Sequence, residues 1–210
     1  MSSAWGRSQG TLVNTFKDTL RPALSVFVLL TAITGVVYPL LVTGIAQAVF
    51  PHQANGSIVT VDGKAVGSML IGQAFSAPKY FWSRPSATWP MANNGIASSG
   101  SNLGANHPAL ADAVKARIGA LRAADPGNAQ AVPIDLVTAS ASGLDPEVSL
   151  AAALYQAPRV ARERGMSLKA VNTLIERHAQ RPWLGVVGEP RVNVLALNLA
   201  LDGKTVAAAR

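Results

Sequence analysis

The feature that most constrains this chain is a long stretch near its start in which no residue carries a formal charge. Residues 23–50 read ALSVFVLLTAITGVVYPLLVTGIAQAVF, where only Gln47 and short hydroxyl side chains interrupt the run of apolar residues. A bilayer core of about 30 Å is crossed by roughly 20 apolar residues in a helix. Short hydroxyl side chains bond back to the preceding turn and so cost little in lipid. The stretch therefore predicts a transmembrane helix over residues 22–50, preceded by a tail over residues 1–21.

Basic residues on one side of this span predict its orientation. Three basic residues precede it against one acidic residue, and no Lys or Arg follows it until Lys64. The basic residues are Arg7, Lys17 and Arg21. The positive-inside rule then places the N-terminus in the cytoplasm and residues 51–210 on the other side. A cleaved signal peptide is the alternative because residues 46–48 read Ala-Gln-Ala, but the apolar region exceeds the usual length of a signal, and we predict an uncleaved anchor.

Small or weakly polar residues recur every four positions inside the span. They are Thr31, Gly35, Pro39, Thr43 and Gln47. Such a ridge lets a second helix approach closely, so we predict that it faces a partner helix rather than lipid. Pro39 removes one backbone hydrogen bond and predicts a kink. A single span encloses no pore, so any transport role requires other chains.

Composition limits what the rest of the chain can do. Residues 51–210 suffice for one domain with a sizeable core. The absence of cysteine excludes a disulfide framework, a thiolate metal site and a cysteine nucleophile. The formal net charge is +7, and basic residues concentrate within residues 159–181 without interleaved aromatics. This argues against base stacking, and we expect no nucleic-acid partner. A solvated helix face is the favoured interpretation of these basic residues, and contact with anionic lipid, a nucleotide or an acidic subunit is the alternative.

Local patterns after the span predict a mixture of strands, helices and loops. Runs rich in Val and Ile flank Asp62-Gly63, which predicts a β-hairpin. Residues 74–108 are rich in Pro, Gly, Asn and Ser, and they also contain aromatic residues, which is typical of an ordered, irregular contact surface. The fold class is therefore α+β: one N-terminal transmembrane helix, then one domain with a hairpin, long irregular loops and several helices.

Helix signals appear in four places. We predict one helix after Pro108, a second from a Ser149 cap to about Arg164, where Gly165 ends it, and a third capped by Ser167. Residues 190–201 fit a helix and a strand almost equally, and Pro190 as a first helical residue favours the helix.

Few patterns in the chain point to chemistry. Ser76 and Lys79 have the S-x-x-K spacing of some serine acyltransferases, but Pro78 lies between them and the companion motifs are missing. Residues 203–205 resemble the end of a phosphate-binding loop, but Asn198 stands where its first glycine belongs. The three histidines are scattered, and Asp145 before Pro146 indicates a turn. We therefore predict no catalytic residue and no metal ligand, and the residues by themselves favour an anchored domain that works by binding.

Four blocks of the chain resemble those of a known family. They read GSMLIGQAFSAPKYFWSRPSA, SGSNLGANHPAL, VPIDLVTASASGLDPEVSLAAALYQAPRVARERG and GEPRVNVLALNLALD. Their order after one basic-flanked span resembles the KdpC family, the C subunit of the bacterial potassium-transporting P-type ATPase, over about residues 15–202.

This resemblance implies a non-pore accessory subunit of an ATP-driven, high-affinity potassium uptake complex. Its partners would be a channel-like potassium-binding subunit, an ATP-hydrolysing P-type subunit and a small single-span subunit. The C subunit would assemble or stabilise this complex in the inner membrane, with its domain in the periplasm. It would also act as a catalytic chaperone that raises the ATP affinity of the hydrolysing subunit. ATP and potassium would belong to the complex, with no cofactor assigned to this chain alone.

The matching blocks also indicate candidate subunit contacts, none of them catalytic. They are Arg84, Ser86, Asn93, Asn94, Ser101, Asn102, Asn106, Gln156 and Arg159. Two other functions remain open at this point: a membrane-anchored periplasmic hydrolase using Ser76 and Lys79, and a potassium-binding module that uses the Asn- and Ser-rich loop.

Overall fold

The computed structural model describes residues 5–182 and 188–204, and the chain divides into two compact units, Met1–Asn55 and Gly56–Arg210. The fold is α+β, which confirms the predicted class. The N-terminal unit is helical. Its elements are α1 (Trp5–Ala32), a π-helix (Ile33–Val37), α2 (Tyr38–Val49) and α3 (Pro51–Ala54). Because α1 begins at Trp5, the described part of the predicted tail belongs to the same helix as the apolar residues.

Among the described residues, one helix is long and apolar enough to cross a membrane. It covers Asp18–Val49, 32 residues with a mean hydropathy of 2.2, and none of it is buried within the chain. Two of its hydroxyl side chains bond back to the preceding turn, as predicted: Ser25 Oγ donates to the Arg21 carbonyl at 2.9 Å and Thr34 Oγ1 to the Leu30 carbonyl at 2.7 Å. The described chain therefore provides no cover for this apolar surface.

The π-helix ends at Val37, two residues before Pro39. The Tyr38 N–H donates to the Ile33 carbonyl, five residues back rather than four. Pro39 has no N–H, so the α-helical bond to the Gly35 carbonyl cannot form. The turn that precedes Pro39 therefore contains one additional residue, and a kink at Pro39 stays a prediction.

The second unit begins with the predicted hairpin. Strands β1 (Ile58–Val61) and β2 (Lys64–Ser68) pair antiparallel around Asp62-Gly63. Both turn residues have positive φ, +51° and +76°, the geometry that Asp-Gly adopts in a tight two-residue turn.

The remaining elements surround one hydrophobic core. They are α4 (Pro108–Ala124), a 3₁₀ helix (Ile134–Leu136), β3 (Glu147–Ser149), α5 (Leu150–Arg164), α6 (Leu168–His178), β4 (Ala179–Gln180), β5 (Arg191–Asn193) and α7 (Val194–Leu201). The three strands form an antiparallel sheet in the order β3-β5-β4. Ser149 and Ser167 cap α5 and α6 by accepting from the Ala152 and Ala170 N–H groups, and Gly165 ends α5 at φ +62°, as predicted.

The prediction that Pro190 starts a helix is wrong. Residues 191–193 form β5, and α7 starts only after Asn193, whose side chain accepts from the Ala196 N–H. The segment divides because β5 pairs with both β3 and β4, and these partners lie in earlier parts of the sequence. The residues of α7 then bury Val194 and Leu197 in the core.

Candidate interaction surface

Residues 78–83, here called the clamped segment, run through the domain outside its strands. Every backbone carbonyl from Pro78 to Ser83 receives a side-chain donor from α4, α5 or α7. The donors are Arg159 for Pro78 and Tyr80, Arg164 for Lys79, Asn198 for Phe81, Gln156 for Trp82 and Arg117 for Ser83. Buried backbone groups must find partners. These side chains therefore provide the hydrogen bonds that a neighbouring β-strand would otherwise provide.

Two amide side chains bind the middle of the clamped segment as a neighbouring strand would. Gln156 accepts from the Trp82 N–H at 2.8 Å and donates to its carbonyl at 3.2 Å. Asn198 does the same for Phe81, at 2.9 Å and 3.0 Å. All four side chains are buried, so losing either amide would leave a buried donor and a buried acceptor without partners.

Arginines stack on the aromatic rings of the clamped segment. The Arg159 and Arg117 guanidinium groups lie 4.7 Å and 5.4 Å from the Trp82 ring centre, and Arg164 lies 4.8 Å from that of Tyr80. Burial lowers the pKa of Arg159 to about 10 and also lowers the pKa of Arg117. Arg159 therefore remains a cation at neutral pH, and its charge is met by carbonyl oxygens and the Trp82 ring face.

Residues 86–96, here called the apolar loop, follow the clamped segment and are held by two hydroxyl groups. Ser86 Oγ donates to the Gly143 carbonyl at 2.7 Å and accepts from the Asn93 N–H at 2.9 Å. Thr88 Oγ1 donates to the Met91 carbonyl at 2.7 Å and accepts from the Asn94 N–H at 3.0 Å. These bonds connect both ends of the loop and fix its backbone.

Gly72 and Gly143 pack closely against residues of the apolar loop and its surroundings. A Cβ at Gly143 would lie 2.6 Å from both the Ser99 carbonyl oxygen and a Thr88 side-chain carbon. A Cβ at Gly72 would lie 2.7 Å from the Asn93 side-chain oxygen. Gly143 also has φ +67°, which L side chains rarely adopt. Both positions therefore require glycine for this packing.

Large apolar side chains project from the apolar loop into solvent. Trp89 is 80% exposed, Met91 64% and Ile96 99%. No Asp, Glu, Lys or Arg occurs between Arg84 and Asp112. Residues 85–111 therefore carry no formal charge and leave these three large apolar side chains exposed.

The nine predicted contact residues fall into three structural groups. Ser101, Asn102 and Asn106 are exposed on the irregular surface. Four are half-buried and shape the loop: Ser86, Asn93, Asn94 and Arg84, whose guanidinium pairs with Asp145 at 2.9 Å. Gln156 and Arg159 are buried beneath the clamped segment, so any influence on another subunit would pass through that segment. Contact with a partner stays a prediction for all nine.

Sequence reasoning missed several residues of this surface. Asn198 and Arg117 support the clamped segment from distant helices, and no local pattern indicates such a role. Met91 and Ile96 do have a signal, because apolar residues stand in a Pro- and Asn-rich stretch that has no charge. Asp145 forms the predicted turn, where its Oδ1 accepts from the Glu147 N–H at 3.0 Å.

The hydrolase hypothesis lacks the geometry that S-x-x-K chemistry requires. Ser76 and Lys79 lie in an irregular stretch, so they are not one helical turn apart, and the Lys79 ammonium lies 5.3 Å from the Tyr80 ring centre. Lys204 of the supposed phosphate loop pairs with Asp62 at 2.8 Å. Within residues 5–182 and 188–204 no group of three metal-ligating side chains comes together.

Comparison with known proteins identifies the family. The model of the KdpC family, described as the c chain of the K⁺-transporting ATPase, matches residues 20–203. This chain belongs to the KdpC family. A potassium-transporting ATPase KdpC subunit of Janthinobacterium sp. is 65% identical over 186 residues, covering 89% of this chain and 98% of that protein. The subunit of the same name in Variovorax paradoxus is 65% identical over 190 residues, covering 90% and 98%.

A third KdpC subunit, from Herpetosiphon aurantiacus, is 59% identical over 182 residues and covers 87% of this chain and 94% of that protein. The match to each of these relatives takes in nearly its whole length. The suspected family is therefore confirmed for the anchor helix and the domain together.

Proposed function

We propose that this KdpC chain is a non-pore accessory subunit that assembles and stabilises the potassium-transporting ATPase. Its apolar helix anchors it in the inner membrane once, with the N-terminus in the cytoplasm and the domain in the periplasm. The basic residues before the span and the absence of Lys and Arg after it until Lys64 support this orientation. The observation that carries the proposal is a membrane-length apolar helix that the described chain leaves unburied.

The π-helix supports the proposal that the ridge from Thr31 to Gln47 faces another helix. At about 100° per residue, four steps of four residues would rotate Gln47 by about 160° from Thr31 in an uninterrupted α-helix. The π turn contains one additional residue and so reduces this rotation to about 60°. The ridge then forms one stripe along the span. Gly35 lies within the stripe, where an added Cβ would meet nothing closer than 4.0 Å in its own chain.

The partners proposed for the stripe and the domain are the channel-like, ATP-hydrolysing and small single-span subunits. A chain that raises the ATP affinity of the hydrolysing subunit would do so from outside the cytoplasm, through the conformation of the complex. Lys204 forms an ion pair with Asp62, which supports an indirect effect on ATP affinity rather than ATP binding by a phosphate loop of this chain.

Two matched glycine variants test the role of the stripe. Gly35→Leu fills the stripe, whereas Gly44→Leu adds the same side chain beside the stripe, about 100° around the helix from Thr43, where an added Cβ meets nothing within 4 Å. We expect Gly35→Leu to lower the recovery of the other subunits with tagged chain by about tenfold or more, because small residues permit close helix contact. Gly44→Leu should retain near-normal recovery. Equal recovery with both variants would contradict the proposed stripe.

A further inference from the structure

A cavity of about 400 Å³ opens beside α4 and is here called the α4 cavity. Its walls are mostly apolar, and three alanines of α4 form one of them. The apolar residues that line it include Leu103, Leu110, Ala113, Ala116, Ala120 and Val137. Sites for small molecules have this size and combine apolar walls with a few polar groups. The short alanine side chains leave a narrow space along the helix.

Arg117 brings a positive charge to the α4 cavity. Its Nε donates to the Leu136 carbonyl at 3.0 Å and its Nη2 to the Ser83 carbonyl at 2.9 Å. Nη1 donates to no described residue. It lies open to solvent, because the described side-chain nitrogens that lack both a partner and solvent contact do not include it. The ion pairs between described residues also leave Arg117 out.

Two guanidinium groups at the Trp82 ring leave a local excess of positive charge. Those of Arg117 and Arg159 lie 5.4 Å and 4.7 Å from the ring centre. Burial lowers the pKa of both arginines; acidic side chains partly offset this at Arg159, whereas none among the described residues does so at Arg117. A cation that loses water without gaining an anion is costly. An anion beside Arg117 would therefore be stabilised.

We propose that the α4 cavity binds a medium-length alkyl carboxylate. The carboxylate accepts from Nη1 of Arg117, and the alkyl chain lies along the alanines of α4, where both lose apolar contact with water. The cavity has room for one such chain and not for the two long chains of a phospholipid. The inference does not depend on the proposed function, because every residue that it uses belongs to this chain.

Octanoate is the probe for this site, and 1-octanol is its uncharged counterpart with an equally long chain. The full-length chain is reconstituted in lipid nanodiscs, because a detergent would compete for an apolar cavity. Equilibrium dialysis with radiolabelled probe measures binding, and empty nanodiscs give the amount of probe that dissolves in lipid.

Two matched alanine variants locate the bound probe. Ala116→Phe fills the cavity, whereas Ala111→Phe adds the same side chain about 140° around α4 from Ala116. Both alanines are exposed, so neither substitution disturbs the core. We expect octanoate to bind the unmodified chain saturably at about one molecule per chain. Ala116→Phe should weaken this binding at least about tenfold, because the space for the alkyl chain is lost. Ala111→Phe should leave it unchanged.

The uncharged probe tests the role of Arg117. We expect 1-octanol to bind the unmodified chain at least about tenfold more weakly than octanoate, because a hydroxyl group forms no ion pair. Arg117→Gln should remove this preference, and thermal unfolding shows whether that variant folds. If it does not fold, the comparison of the two probes on the unmodified chain still decides the point.

Four outcomes would overturn the inference. The first is octanoate binding no greater than that of empty nanodiscs, and the second is equal binding by Ala116→Phe and the unmodified chain. The third is equal affinity for octanoate and 1-octanol. The fourth is a phospholipid that stays bound to the purified chain in native mass spectrometry and that Ala116→Phe removes, because the cavity would then hold lipid.

Discussion

Arg159 is a buried cation whose hydrogen bonds, among the described residues, go to uncharged acceptors. Its guanidinium donates to the Pro78 and Tyr80 carbonyls and to the Gln156 side chain. Arg159→Met would leave both carbonyls without these donors, at a cost of about 2–4 kcal/mol in the free energy of unfolding. We expect the unfolding temperature of the detergent-solubilised chain to fall by roughly 5–12 °C, measured by the loss of circular dichroism.

The matched control is Arg177→Met, which removes an exposed arginine on α6 and should change the unfolding temperature little. Burial lowers the pKa of Arg159 to about 10 in the folded chain, from a higher ordinary value. Both values lie above neutral pH, so Arg159 is protonated in the folded and unfolded states alike. The loss caused by Arg159→Met should therefore be equal at about pH 6 and about pH 8. A loss no greater than that of the control would show that the clamped segment does not need the guanidinium.

A substitution at Gly143 tests the close packing beneath the apolar loop. Gly143→Ala puts a Cβ 2.6 Å from the Ser99 carbonyl oxygen at a backbone φ of +67°. We expect a loss of about 2–4 kcal/mol in the free energy of unfolding, from backbone strain and overpacking together. Gly119→Ala on α4 meets no atom within 4 Å and should instead stabilise by about 0.5–1 kcal/mol. Chemical unfolding of both variants measures this difference, and a neutral Gly143→Ala would contradict the described contacts.

At the scale of the element, the π-helix determines which residues of the anchor share a face. Pro39→Ala restores the missing N–H and allows the helix to return to α-helical spacing. The rotation about the helix axis between Thr31 and Gln47 would then increase by about 100°, because the helix no longer contains a π turn that accommodates one additional residue. We expect a several-fold lower recovery of the other subunits, measured by co-purification with tagged chain.

The control is Pro22→Ala, which removes the proline inside α1 that lies before the stripe. It should leave recovery unchanged. Normal recovery with Pro39→Ala would mean that the alignment of the stripe does not matter for assembly.

At the scale of the whole molecule, the two units carry separate tasks in the proposed complex. The orientation proposed for them can be measured with single cysteines. Ala129→Cys lies in the domain and should react with a membrane-impermeant maleimide in intact cells, whereas Ser8→Cys, before the span, should react only after permeabilisation. The expectation follows from the basic residues before the span. If only the Ser8→Cys variant reacted in intact cells, the orientation of the chain would be the opposite of the one proposed.

The sequence by itself determined the features whose causes lie within a few residues. Ser149 and Ser167 cap helices through N–H groups three residues away, and Gly165 ends α5 at its own positive φ. Asp62-Gly63 closes the hairpin, and an uncharged run makes a helix that is long and apolar enough to cross a membrane. Spacing reveals such features because the interacting groups are near neighbours along the chain.

Only the tertiary structure decided which polar residues lie inside the domain and what they hold. Asn198 binds Phe81 across 117 positions, Gln156 binds Trp82 across 74, and residues 190–201 divide between β5 and α7 because strands from elsewhere pair with the first part. These contacts exist only when several elements pack together, since each buried amide needs a partner that another element supplies. The contact residues predicted at Gln156 and Arg159 thus proved to be buried, while Trp89, Met91 and Ile96 are exposed.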